Sequence, residues 1–436
     1  MNIIPPKPEI DFTDELLTSK GGITFLARFP SYLGLPKLLA QNIKLKQRNK
    51  GPSDSYYFLS LIYSIALGEG NLCDVDLLKE DLAQRTLAGL KEVPDSRRIS
   101  EYLCRFDKNS LTSLSNIAES LASKLIKSVI EHELSQRGWL PIFIDGTAIE
   151  VYGKYFEKAE KLYNGEQGFW LHGVFVGNLW VKQKFFPGNV HPSEGYKELI
   201  QTVLKLLPEG TKGYFLMDSA YYKREVVELL KEAGQDYSIS VTHSVHKKPL
   251  YELAQNFPDE AWEKISEDGS EEATFIHHQP TGWREEETYV VIRQRGDGGQ
   301  RRLFPRYYFI LVSREDLGVK ELVKRHRQKQ GQENVLKGPL RDLGLHHPPC
   351  QRFVANQAYY ILGQIAYLLL VGMQYNLLPE KARRCRPCTI IKHFLRVAAK
   401  VVRHARQLAI RFTKQIVHID WIYFAAIRLE RGLMFR

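Results

Sequence analysis

Leu140-Pro-Ile-Phe-Ile-Asp-Gly-Thr147 decides how the rest of the chain is read. The apolar run Ile142-Phe-Ile144 leads straight into Asp145, and Gly146 is expected to turn the chain. A short apolar run without polar alternation reads as a strand buried on both faces, here Leu140–Ile144. A carboxylate at its end is costly to bury without a proton, a cation or a metal. The plain reading is an Asp that caps a turn. A second copy of the pattern, Gly213-Tyr-Phe-Leu-Met-Asp218-Ser-Ala220, weighs against it. Two strand-end carboxylates are what a divalent-cation site needs.

At 436 residues the chain is long for one core, and two to four domains are expected. Apolar residues make up 44% and charged residues 25%, the composition of a globular protein. The net charge of +11 points to a polyanionic partner. Five cysteines, an odd number, argue against a disulfide scaffold and for a reducing compartment. The opening Met-Asn-Ile-Ile-Pro-Pro-Lys-Pro has no basic-then-apolar signal pattern, so a cytoplasmic location is expected. Ala358–Met373 is apolar but short for a span and carries Gln364, so it reads as a buried helix.

The first region, 1–137, shows helical periodicity and almost no strand signal. Ser53-Asp54 caps an expected helix Tyr56–Leu67, and Leu77–Leu90, Ser100–Phe106 and Leu111–Leu134 follow. Arg97, Arg98 and Arg105 among short helices fit a DNA reader, although a plain bundle with solvated arginines is the simpler reading. From 138 to 242 strands alternate with helices. Phe169–Gly177 and Leu179–Phe186 form an expected hairpin about Gly177-Asn178. Ser193–Leu207 is an expected helix with a Ser N-cap, and strand Tyr214–Met217 brings in Asp218. Helix Lys223–Ala233 and strand Tyr237–Val241 complete a mixed α/β sheet covered by helices.

Residues 243–305 read as a β-rich insertion outside that sheet, with strands at Glu271–His277 and Glu287–Arg293. The strand Arg306–Val312 leads back into the second part of the core, 306–378. Gly318–Lys337 is an expected helix broken by Gly338-Pro339, and Phe353–Leu378 an apolar one. In the basic region 379–436, eleven Lys or Arg and no acid lie between Lys381 and Ile419. On a helical wheel Lys392, Arg396, Lys400, Arg403, Arg406, Arg411 and Lys414 fall within an arc of about 140°. This predicts a basic amphipathic helix tracking a phosphate backbone. An acidic membrane surface fits less well, because no lipid anchor or aromatic belt adjoins it.

Phosphodiester chemistry with two divalent cations needs carboxylates that hold the ions about 3.5–4 Å apart. Mg²⁺ takes oxygen ligands and keeps several waters, so two or three carboxylates suffice. Asp145 and Asp218 supply two. For the third, Glu315, Asp316, Glu321 and Glu333 all remain open, and Glu150 competes with Asp145.

The segments Asp145-Gly-Thr-Ala-Ile-Glu-Val151, Trp170-Leu-His-Gly-Val-Phe-Val-Gly177 and Met217-Asp-Ser-Ala-Tyr-Tyr222 resemble the core of DDE transposases from bacterial insertion sequences. So does Gly331-Gln-Glu-Asn-Val-Leu-Lys337 followed by Asp342-Leu-Gly344. The likeness is to the cut-and-paste type, the thirteen-eighty branch of the insertion-sequence-four superfamily, with a β insertion in an RNase H-like fold. Val93–Phe106 resembles that branch's N-terminal region, and Val401–Leu408 its C-terminal helix. The resemblance implies Asp145, Asp218 and Glu333 as a catalytic, metal-binding triad with two Mg²⁺ or Mn²⁺. The family often has Tyr and Arg seven and four residues before its Glu; His326 and Lys329 stand there. The basic residue that follows the Glu has Lys337 or Arg341 as its counterpart. The partners implied are the terminal inverted repeats of the element and target DNA, met by a homodimer.

Other constellations are weaker. Cys385-x-x-Cys388 with His346, His347 and Cys350 has no well-spaced second pair for zinc. His243 and His246 read as loop histidines. Trp283 can stack on an unpaired base, although a half-buried tryptophan of the insertion is the simpler reading. Two further functions stay open: a catalytically silent DNA-binding protein, and an RNase H-like nuclease without strand transfer.

Overall fold

The computed structural model describes residues 9–47, 51–297, 300–404 and 407–432. Within these, the side chains at 244, 297, 300–302, 330–335, 337 and 404 lie outside the description. After strand β1 (Leu16–Thr18) come the helices α1 (Ile23–Tyr32), α2 (Leu35–Asn42), α3 (Asp54–Ala66) and α4 (Asp74–Glu80). They are followed by α5 (Leu82–Leu87), α6 (Ser96–Leu103) and α7 (Lys108–Arg137). The single helix expected over Leu77–Leu90 is therefore two. Asp81 leaves the helical region at ψ 95° and caps α5, its carboxylate accepting from the Gln84 N–H. Helix α7 opens on a capping box between Asp107 and Ser110 and stops at Gly138, whose φ is +73°.

The main sheet begins with β2 (Leu140–Glu150), β3 (Glu160–Lys161), β4 (Gln167–Val176) and β5 (Leu179–Pro187). Strand β2 does not turn at Gly146 but runs on to Glu150, because Asp145 to Glu150 stay paired with β4. The β4–β5 hairpin turns at Gly177-Asn178 as expected, with Gly177 at φ +57°. Then come α8 (Tyr196–Leu206), β6 (Gly213–Met217), α9 (Arg224–Glu232) and β7 (Asp236–Val241). Strands β6 and β7 are parallel to β2, whereas β4 is antiparallel to it, so the sheet is mixed.

The next segment corrects the expectation of strands outside the sheet. It holds α10 (Ser244–Gln255), β8 (Glu263–Lys264), β9 (Glu271–His278), β10 (Glu287–Asp297) and β11 (Gln300–Val312). The apolar end of β11, Phe309–Val312, pairs antiparallel with β7, and β10 and β9 add on beyond it. The order is β3-β4-β2-β6-β7-β11-β10-β9-β8, with β5 also on β4. Four apolar residues able to complete a buried ladder outweigh the polar turns around them.

Helix α11 (Gly318–Asp342) passes through Gly338-Pro339 instead of breaking there. Proline removes one N–H, but Leu336 and Leu340 are buried on either side of it and hold the last turn in place. Helix α12 (Phe353–Asn376) is long and apolar enough to cross a membrane, yet 89% of its apolar window is buried inside the protein. It packs against α3, α7 and β5.

The basic region is where the expectation fails most. After α13 (Pro387–Ile390) and a π-turn at Ile391–Leu395 come the strands β12 (Ala399–His404) and β13 (Gln407–Phe412). Together with β1 they make a second, three-stranded sheet, and α14 (Ile419–Arg431) follows. The governing period is 2, not 3.6. Ala399 and Val401 face inward, and Phe412 stacks on Phe25 at 6.1 Å between ring centroids. Lys400 and Arg411 are paired neighbours on the other face.

Candidate functional site

The parallel ladder between β2 and β6 sets Ile142 beside Phe215 and Phe143 beside Leu216. Asp145 and Asp218 each stand two residues further on, so the strand period turns both to the face of that last pair. Both are half-buried. Asp218 caps a short 3₁₀ turn, Ser219–Tyr221, accepting from the Ala220 N–H at 2.9 Å. Asp145 Oδ1 accepts from the Gly146 N–H at 2.8 Å.

Glycine flanks Asp145 for a steric reason. A Cβ at Gly146 would lie 2.5 Å from the Trp170 indole, and one at Gly173, the ladder partner of Asp145, 2.9 Å from Trp180 Nε1. Two tryptophans thus close on the backbone that carries the carboxylate.

His172 lies fully buried one residue before Gly173. Its Nδ1 is 2.7 Å from the Glu194 carbonyl, and its Nε2 meets the Tyr221 hydroxyl. A carbonyl only accepts, so Nδ1 carries the hydrogen and Tyr221 donates to Nε2. Burial pushes the His172 pKa down to about 4, against the raising effects of that carbonyl and of Asp218. Burial, then the charges of Asp218 and Asp145, push the Tyr221 phenol far up. Tyr221 therefore feels both carboxylates at once. At the rim, Ser193 Oγ bridges His191 Nδ1 at 2.9 Å and Lys223 Nζ at 2.7 Å. Burial and then Lys223 lower the His191 pKa, while Glu194 and Asp218 oppose them.

Helix α11 packs against β2, β6 and β7. The Cδ1 of Leu336 lies 3.4 Å from where a Cβ on Gly173 would stand. The side chains of Glu333 and Lys337 lie outside the described residues. His326 is turned into the sheet: its ring nitrogens meet Ser238 Oγ at 2.8 Å and Ser240 Oγ at 2.9 Å. Burial pushes its pKa down to about 3, and it offers no nitrogen to a phosphate. Lys329 is half-buried, and Arg341 is exposed, 3.4 Å from Asp342. The rival acids are engaged elsewhere: Glu315 with His277, Asp316 with Arg314 and Glu321 with Arg325. Glu150 accepts from Asn164 and Tyr152.

Among the described residues no group of three His, Cys, Asp or Glu is disposed to hold a metal ion. All five cysteines are free, and Cys350 is buried beside Ser100. Trp283 is half-buried and stacks on Tyr222 with centroids 5.3 Å apart. In the basic region Lys392 and Arg403 are exposed, and Arg406 lies outside the described residues. Arg396 is held by the Leu67 carbonyl and Glu69, and Lys400 by Glu15.

The sequence reading passed over His172, Tyr221, His191 and Lys223. A lone histidine within the apolar strand Phe169–Val176 was the available signal, because a buried polar ring needs partners.

No curated protein matches the sequence. A family described as Transposase DDE domain group 1 matches residues 5–432, taking in the helical region, the main sheet and the basic strands. The chain belongs to this family of DDE transposase domains.

Proposed function

We propose that the protein is a DNA transposase of the thirteen-eighty branch, which cuts DNA at the ends of its own element and joins them to a target. The matching positions of Asp145 within β2 and Asp218 just past the end of β6, each two residues beyond the paired Phe143 and Leu216 of neighbouring parallel strands, carry this reading. The order β5-β4-β2-β6-β7, three antiparallel strands and then two parallel ones, supports an RNase H-like core.

The donor set suits a hard cation. His172 has both nitrogens engaged, which leaves carboxylate oxygens as the ligands Mg²⁺ prefers. Asp145 and Asp218 would hold the ions, with Glu333 as third ligand. In support of Glu333, it comes one helical turn before Leu336, and residues three apart share a helix face. Two bound ions would activate water or a 3′-hydroxyl and stabilise the leaving oxygen. The protein's own part is positional. Tyr221, tied to His172, anchors the turn that carries Asp218, and Trp170 and Trp180 confine the backbone at Asp145. Lys223 offers a cation at the rim for a phosphate oxygen. The net charge of +11 suits double-stranded DNA, and two copies of the chain would hold the two ends.

Incubation with labelled element ends, target DNA and Mg²⁺ tests the reading. Joined products support it. Cut but unjoined DNA would make the protein a nuclease, and binding without reaction a silent DNA-binding protein.

A further inference from the structure

At the start of β2, ahead of Asp145, the Gly177 N–H donates to the Pro141 carbonyl at 2.9 Å and ties the β4–β5 turn to that strand. Beside this turn lies a cleft of about 620 Å³, walled by the last turns of α7 and by residues 383–387. Thirteen buried side-chain polar atoms lack a partner among the described residues, and three of them belong to this cleft: His132 Nδ1, Asn178 Oδ1 and Arg383 Nε. Buried polar groups are rarely left without partners, so three in one place point to something that fills it.

The charges say what it is. Four arginines line the cleft against one buried acid, Glu133. Arg137 pairs with Glu133 at 2.6 Å, and Arg386 with Asp342 at 2.9 Å. Arg384 is held at 2.6 Å by the neutral Gln136, and Arg383 lies over the Tyr375 ring at 5.7 Å. Neither has a carboxylate partner among the described residues. Burial lowers the His132 pKa, its Nδ1 is one of the two ring nitrogens that can carry the hydrogen, and an amide can turn its NH₂ inward at Asn178.

We propose that this cleft binds a phosphate group, gripped by Arg383 and Arg384 with His132 and Asn178 at its floor. A phosphate offers several acceptor oxygens and matches the planar donor fork of arginine. The space exceeds a single phosphate, so the group comes either free in solution or on the backbone of DNA. The site is separate from the carboxylate centre and stands or falls without it.

The full-length chain is titrated with inorganic phosphate at constant ionic strength, chloride being the balancing ion, and its Tm is followed. The same protein is titrated with a labelled random duplex. With phosphate in excess over its Kd, the wild type is expected to gain about 2–4 °C. The double variant Arg383→Gln/Arg384→Gln should lose most of that gain. The single variant Arg384→Gln, at an exposed position, should lose part of it and guards against misfolding. If the variants also bind the duplex several-fold more weakly and phosphate displaces it, the backbone of DNA is the source. If their duplex binding is unchanged, free phosphate is. Variants that match the wild type in both titrations overturn the proposal, whatever a cleavage assay shows.

Discussion

Asp145 and Asp218 stand at matching positions on neighbouring parallel strands, each two residues past the paired Phe143 and Leu216. Around them, Trp170 closes on Gly146 and Trp180 on Gly173, and His172, next to Gly173 on β4, is bonded to Tyr221.

Gly146→Ala should destabilise the protein, since its Cβ would meet the Trp170 ring at 2.5 Å. Overpacking of this kind costs about 1–3 kcal/mol. Adding Trp170→Leu should relieve the clash, so the double mutant should be more stable than the sum of the two single losses predicts. Denaturant unfolding of the four proteins measures this coupling. Strict additivity would mean that the indole does not confine the strand.

The two buried histidines set a pH dependence. His172 and His326 have pKa values of about 4 and about 3 in the folded chain, below the ordinary 6.5, because burial disfavours their charged form. The unfolded chain therefore takes up protons first. Stability is full above pH 6.5 and is lost as pH falls from 6.5 through 4 toward 3. Each ring contributes on the order of 3 kcal/mol to that loss. Tm measured against pH should drop over this window, and His326→Asn should flatten part of the drop. A wild-type Tm unchanged between pH 7 and 4 would contradict it.

Within the basic region the arginines should separate into two kinds. Arg396 is tied to the Leu67 carbonyl and Glu69, so Arg396→Ala should cost about 1–3 kcal/mol of stability. Arg411 is exposed, and Arg411→Ala should stay within about 0.5 kcal/mol. If DNA lies on the hairpin, Arg403→Ala and Arg411→Ala should each flatten the slope of log K against log [salt] by about one unit. An unchanged slope would take this surface off the DNA path.

What was legible in the sequence was legible for local reasons. The apolar run into Asp218, the Gly177-Asn178 turn and the apolar helix 353–376 carry their structure in a few adjacent residues. The tail misled because Lys392 to Lys414 satisfy a helical wheel, while Ala399, Val401 and Phe412 also satisfy a strand and find β1 far back in the chain at Leu16–Thr18. Partners that distant leave no mark on local periodicity. The same holds for β11, whose pairing with β7 merges the 243–305 segment with the main sheet. His172 was missed because its partners, Glu194 and Tyr221, lie 22 and 49 residues away.

The central claim is tested most directly by Asp145→Asn and Asp218→Asn, each nearly isosteric with the wild type. Cleavage of labelled element ends with Mg²⁺ is measured beside the affinity for the same DNA. The account predicts that either variant loses cleavage by about a thousandfold or more, as removal of a metal ligand from the reacting centre should, while end binding stays within about threefold of the wild type. A variant at either position that still cuts at a rate near the wild type would contradict it.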